Sequence, residues 1–119
     1  MTIELNSLIT EALDDLKAQD IVTLDVKALS DVTDTLVIAS GTSSRHVKSL
    51  ANNVIEEAKK QNFRPIGMEG IDAGDWALVD FGEIVVHVML PQSRKFYDLE
   101  KLWAPLDTLD SSQKTDTTL

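Results

Sequence analysis

The residues best suited to chemistry lie at positions 40–46, Ser-Gly-Thr-Ser-Ser-Arg-His, between an apolar run and a helical pattern. A glycine, several hydroxyls and two basic groups at a strand-to-helix junction suit phosphate binding. Backbone N–H groups at the helix start would face the anion, where the helix dipole favours it. Ser43 or Ser44 would add a hydroxyl and Arg45 a charge. The same residues also fit plain punctuation, with Ser43 or Ser44 capping the helix and Gly41 taking the turn. The stretch matches neither the dinucleotide-binding glycine pattern nor the P-loop. Arg45, His46 and Lys48 put positive charge at a helix N-terminus, where it is unfavourable, so Asp31 or Asp34 is expected nearby to answer it.

A metal-dependent nucleotidyl transfer would need carboxylates on a strand roughly ten residues further on, to hold Mg²⁺. Here that stretch has helical spacing, and its first acids are Glu56 and Glu57. The metal-binding pair is missing, although a nucleotide-binding enzyme using the 40–46 loop stays open as the alternative function. The two histidines, His46 and His87, are far apart, and there is no cysteine. Zinc, thiolate and disulfide chemistry therefore drop out. Nothing in the sequence brings a base and an orienting acid to one serine. No catalytic residue, metal or cofactor is expected.

A second constellation lies in 75–90. With a period of two, Ala77, Val79 and Phe81 share one face of a strand, and Trp76, Leu78 and Asp80 the other. On the following strand Val86, Val88 and Leu90 oppose Val85, His87 and Met89. One face is purely apolar and suits a core. The other combines Trp, Asp, His and Met, which suits either a hot spot for a basic partner or a partly covered second face.

The elements that must position these groups are legible from spacing. Leu5, Leu8, Ile9, Ala12, Leu13 and Leu16 predict an amphipathic helix over about 3–18. Residues 21–29 and 34–40 read as strands, the second short and continuously apolar. Val47, Leu50, Ala51, Val54, Ile55 and Ala58 predict a second helix ending near Asn62. A short third strand around 64–70, bounded by Pro and Gly, suits an edge. Strands 75–81 and 84–90 flank a tight connection and so form an antiparallel hairpin. A third helix is expected from Pro91, capped by Ser93, with Phe96, Leu99, Leu102 and Trp103 as its stripe. The unit 34–70 could be a right-handed crossover between parallel strands. The expected fold is a single α/β domain, residues 1–105. Its mixed five-stranded sheet carries flanking helices that leave part of one face uncovered. The segment 106–119 is polar and periodless and reads as a disordered tail.

The chain has 119 residues, 43% of them hydrophobic, enough for one core without staples. No run approaches the about 20 apolar residues that span a membrane. The start lacks the features of a secretory or organellar leader, so the expected compartment is the cytoplasm. Twenty acids against eleven bases give a net charge of −9, which argues against binding nucleic acid through its phosphates. Residues 65–93 contain no Lys or Arg but hold Glu69, Asp72, Asp75, Asp80 and Glu83. That is either a solvated acidic edge or a landing surface for a basic partner.

Three blocks in this order, DVTDTLVIASGTSSRHVKSLANNV, MEGIDAGDWALVDFGEIVVHVML and SRKFYDLEKLWA, closely resemble the ribosomal silencing factor family (Iojap, RsfS). The likeness runs from about residue 5 to 104. It implies a nucleotidyltransferase-like fold without that catalysis. It also implies binding to a large-subunit ribosomal protein at the intersubunit face. Joining of the small subunit would be blocked and translation lowered when nutrients are short. By this likeness the contact surface comprises Glu69, Asp75, Trp76, Leu78, Asp80, His87, Met89 and Tyr97. Homodimerisation through an uncovered patch stays open.

Overall fold

The computed structural model describes residues 4–29, 31 and 33–102. The expected tail at 106–119 and the contribution of Trp103 lie outside the described residues. In chain order the elements are α1 (Leu5–Asp15), β1 (Gln19–Asp25), β2 (Thr35–Ser40), α2 (Ser44–Lys60), β3 (Gly67–Glu69), β4 (Trp76–Asp80), β5 (Ile84–Met89), α3 (Pro91–Tyr97) and α4 (Leu99–Leu102). The strands form one five-stranded mixed sheet in the order β1-β2-β5-β4-β3. β2 and β5 run parallel, and every other neighbouring pair is antiparallel. It follows that β3 runs parallel to β2, so the β2–α2–β3 unit is a crossover that skips two positions. The β4–β5 hairpin then fills the gap. This order places β5 centrally, which is why all six of its residues are buried.

One sheet face carries the main core. Leu5, Leu8, Ile9, Ala12 and Leu13 from α1, and Val47, Leu50, Ala51, Val54, Ile55 and Ala58 from α2, close on Val37, Ala39, Ala77, Val79, Val86 and Val88. Each fully buried Val, Leu or Ile contributes about 1.5–3 kcal/mol of transfer free energy. The helical period of three and four and the strand period of two therefore converge on one layer.

Helix α1 is shorter than its apolar spacing suggests, ending at Asp15 rather than 18. The chain turns left-handed at Lys17 (φ 67°), and the Ala18 N–H donates to the Leu13 carbonyl while Lys17 N–H donates to Asp14. These paired bonds satisfy carbonyls that a helix end would otherwise leave orphaned. Helix α2 stops by the same device, with Asn62 (φ 69°) left-handed and Phe63 N–H bonded to Ala58. Strand β1 covers Gln19–Asp25 rather than 21–29: Val26 N–H still donates to the Asp34 carbonyl, but the Val26 carbonyl accepts from Leu29 N–H in a turn that ends the strand, and Val26 is buried in the second face.

The C-terminal region also differs from expectation. Pro91 occupies the first turn of α3 after Leu90, with no side-chain cap, so Ser93 lies inside the helix. Asp98 adopts φ 50° and splits the expected single helix in two. Phe96 is then turned outward and is 81% exposed, while Leu99 is buried. The anchor is Arg94, which the apolar spacing does not reveal. Its guanidinium donates to both oxygens of Glu100 (3.1 and 2.9 Å) and to the buried Ser40 hydroxyl (3.0 Å). Such a fork-to-fork pair holds one geometry. It ties α3 and α4 to the end of β2.

Candidate functional site

The loop at 41–46 is held by hydrogen bonds within itself and to β5 and α1. Ser43 is the helix cap, its Oγ accepting from the His46 N–H at 3.1 Å. Thr42 N–H donates to His46 Nδ1 at 2.8 Å, so Nε2 carries the imidazole proton and donates to the Leu16 carbonyl at 2.7 Å. Gly41 N–H donates to Met89, and Val47 N–H to Ser43. The backbone donors of Gly41, Thr42, His46 and Val47 are thus already in use. The expected answer from Asp34 fails on geometry: it precedes β2, whose six residues separate it from the loop by about 20 Å. His46 instead links the start of α2 to the end of α1. Among the described residues, no group of three or more His, Asp or Glu is placed to hold a metal ion.

The second sheet face gathers the hairpin residues. Register places Glu69, Leu78, His87 and Ile38 in one row, with Trp76, Met89 and Ser40 in the next. Val26, Leu36, Ile38, Val85, Met89 and Leu99 form a second, smaller core here, with Leu24, Trp76 and Leu78 packed on it. The expected contact residues therefore lie at different depths. Met89 is fully buried and supports the face from beneath. His87 is 8% exposed. Trp76 and Leu78 are half-buried, and Glu69, Asp75 and Tyr97 are exposed. Asp80 is half-buried, and its Oδ1 accepts from the Gly82 N–H at 2.7 Å, which fixes the hairpin turn. One of its carboxylate oxygens therefore serves the fold.

Trp76 is the centre of the group. Its indole Nε1 donates to His87 Nδ1 at 2.9 Å. The Tyr97 ring lies against it with centroids 4.6 Å apart, and Phe96 meets Tyr97 edge-on at 5.0 Å. Glu69, Gly70, Asp75, Trp76 and Leu78 line an open depression of about 340 Å³. Burial pushes the His87 pKa down from 6.5 to about 4, so the ring is neutral at physiological pH and accepts the indole proton through Nδ1.

The loop between β3 and β4 sets the approach of the two acids. Gly70 (φ 75°) and Gly74 (φ 76°) take left-handed turns, and Gly74 N–H donates to the Gly70 carbonyl. A side chain at Gly70 would overlap the Trp76 carbonyl oxygen, and one at Gly74 would meet the Ser44 carbonyl at 2.8 Å. The Asp75 carbonyl accepts from Leu90 N–H, locking the loop to the end of β5. The helical stripe in the sequence assigns Phe96 to the core, whereas the break at Asp98 leaves it on the surface.

The surface can be compared with known proteins. The family model for ribosomal silencing factor during starvation matches residues 1–118. The chain belongs to the ribosomal silencing factor family. Ribosomal silencing factor RsfS of Haemophilus influenzae is 49% identical over 94 residues, covering 79% of this chain and 92% of that protein. The mouse protein named mitochondrial assembly of ribosomal large subunit protein 1 is 43% identical over 89 residues, 72% of this chain and 39% of its own length. A crystal structure from Chromobacterium violaceum superposes with a TM-score of 0.83 at 40% identity, covering 97% of this chain and 90% of that one. This ribosomal silencing factor domain thus has the single α/β architecture read from its sequence. No described helix is long and apolar enough to cross a membrane.

Proposed function

We propose that this chain silences translation in the cytoplasm as a non-catalytic, steric factor. It docks on a basic protein of the large ribosomal subunit at the intersubunit face and so keeps the small subunit from joining. The observation that carries the reading is the surface around Trp76. A half-buried indole braced by Tyr97 stands beside exposed Glu69 and Asp75, in a segment that holds no Lys or Arg. An aromatic anchor in a desolvated centre with acids at its rim fits a partner carrying Lys or Arg. The mouse relative's name points to the same subunit. For nucleotide-dependent catalysis the sequence offers no metal-binding carboxylate pair after the loop, and four of the loop's N–H groups, those of Gly41, Thr42, His46 and Val47, already have protein acceptors.

Sedimentation of the protein with purified subunits tests this reading. It is expected to travel with large subunits and not with small ones. Asp75→Lys should weaken retention about tenfold at low salt, and less as salt screens the pair. Asp75 is the better probe than Asp80, whose reversal would also break the hairpin turn. Unchanged retention of Asp75→Lys would remove the acidic rim from the interface.

A further inference from the structure

We propose that His87 is a positioning residue for docking: it aims the Trp76 indole at the partner through the Nε1–Nδ1 hydrogen bond and does not itself touch the partner. The inference rests on the docking reading above and assigns a role within it. Trp76 pairs with Met89 across β4 and β5, and Leu78 pairs with His87, so Trp76 and His87 are diagonal neighbours on one face. Their ring centroids lie 5.9 Å apart, within reach of long side chains on that diagonal. His87 shows 8% of its surface, too little to serve as a contact in its own right. Its neighbours in the strand, Val86 and Val88, face the opposite core and are fully buried, which fixes the backbone that carries the ring.

The indole has one donor and no acceptor. With that donor held by His87 on one side and the tilted Tyr97 ring packed against it at 4.6 Å, the indole has a single supported orientation. Removal of the acceptor leaves a half-buried N–H that must turn to find water, and turning it withdraws the indole face from Glu69 and Asp75. Ordering of the anchor before the encounter lowers the cost of immobilising it in the complex. A phenylalanine at 87 fills the space without accepting, whereas the asparagine carbonyl oxygen falls near the place of Nδ1.

The test combines indole NMR with subunit sedimentation for His87→Phe and His87→Asn, each checked for folding by urea unfolding. Trp76 and Trp103 supply the indole N–H signals, assigned with Trp76→Phe. The Trp76 indole proton should exchange slowly in the wild type and in His87→Asn, and quickly in His87→Phe. Retention on large subunits should fall about tenfold for His87→Phe, as expected when the anchor loses its supported orientation, and by less than about threefold for His87→Asn. In a Trp76→Phe background, which has no indole donor, His87→Phe should cause no further loss, a result that a general structural role would not give. Wild-type retention left unchanged by His87→Phe would overturn the proposal, as would a loss that persists in the Trp76→Phe background. If His87→Phe fails to fold, rapid exchange of the wild-type Trp76 indole proton would overturn it equally. Absence of wild-type sedimentation would overturn the docking reading itself, while the exchange data would still report on the His87–Trp76 bond.

Discussion

Gly70→Ala is expected to destabilise the domain by about 3 kcal/mol or more and to abolish docking. Two costs add. A side chain at φ 75° sits in the left-handed region, which costs an L-residue about 1–2 kcal/mol. The added carbon also overlaps the Trp76 carbonyl oxygen, which is backbone and cannot swing away. Relief requires a shift of the first residue of β4, where Trp76 pairs with Met89 and where the indole meets both His87 and Tyr97. Urea unfolding measures the first effect as a lower midpoint with an unchanged slope. Gly67→Ala is the control: nothing lies within 4 Å of its added carbon, so its unfolding free energy should stay within about 0.5 kcal/mol of wild type. Equal midpoints for the two variants would show that the β3–β4 loop does not set the position of Trp76.

Acid should destabilise the fold through His87. Its pKa is 6.5 when unfolded and about 4 when buried in the sheet. Between these values the unfolded chain binds a proton that the native chain refuses, so native stability rises with pH across this window. The contribution is fully present above pH 6.5 and is lost as pH falls toward 4, in total about 3 kcal/mol. Protonation also turns Nδ1 from acceptor to donor and sets two donors face to face. The measurement is the urea unfolding free energy of wild type and His87→Asn from pH 7 to 4. The wild type should lose more stability by about 3 kcal/mol, because the asparagine does not titrate. Parallel pH profiles would show that the ring is not held neutral. Nearby carboxylates such as Glu69 are present in both proteins and cancel in the difference.

Much of this was legible in the sequence because it repeats. The spacing of Val47, Leu50, Ala51, Val54, Ile55 and Ala58 announces α2, and the alternation from Trp76 to Met89 announces the two faces of the hairpin. That alternation also set Trp76, Asp80, His87 and Met89 on one face, whereas Glu69, Asp75 and Tyr97 entered the expected contact surface only through the family resemblance. Sheet order was less accessible, because nothing local tells β5 to enter between β2 and β4. The illegible features are single pairings across long separations. Arg94 reaches Ser40 and His46 reaches the Leu16 carbonyl, and neither leaves a periodic trace. Phe96 misled because the stripe of a helix is informative only while the helix continues, and Asp98 interrupts it. The basic residues at the start of α2 misled for a related reason: proximity in sequence to Asp34 hid the length of β2 between them.

Subunit joining is the measurement closest to the proposed function. Large subunits preincubated with the protein are mixed with small subunits, and full ribosomes are followed by light scattering. Steric blocking predicts that the yield falls in proportion to the large subunits occupied, and that protein added after joining has far less effect. An undiminished yield from large subunits shown to carry the protein would contradict it.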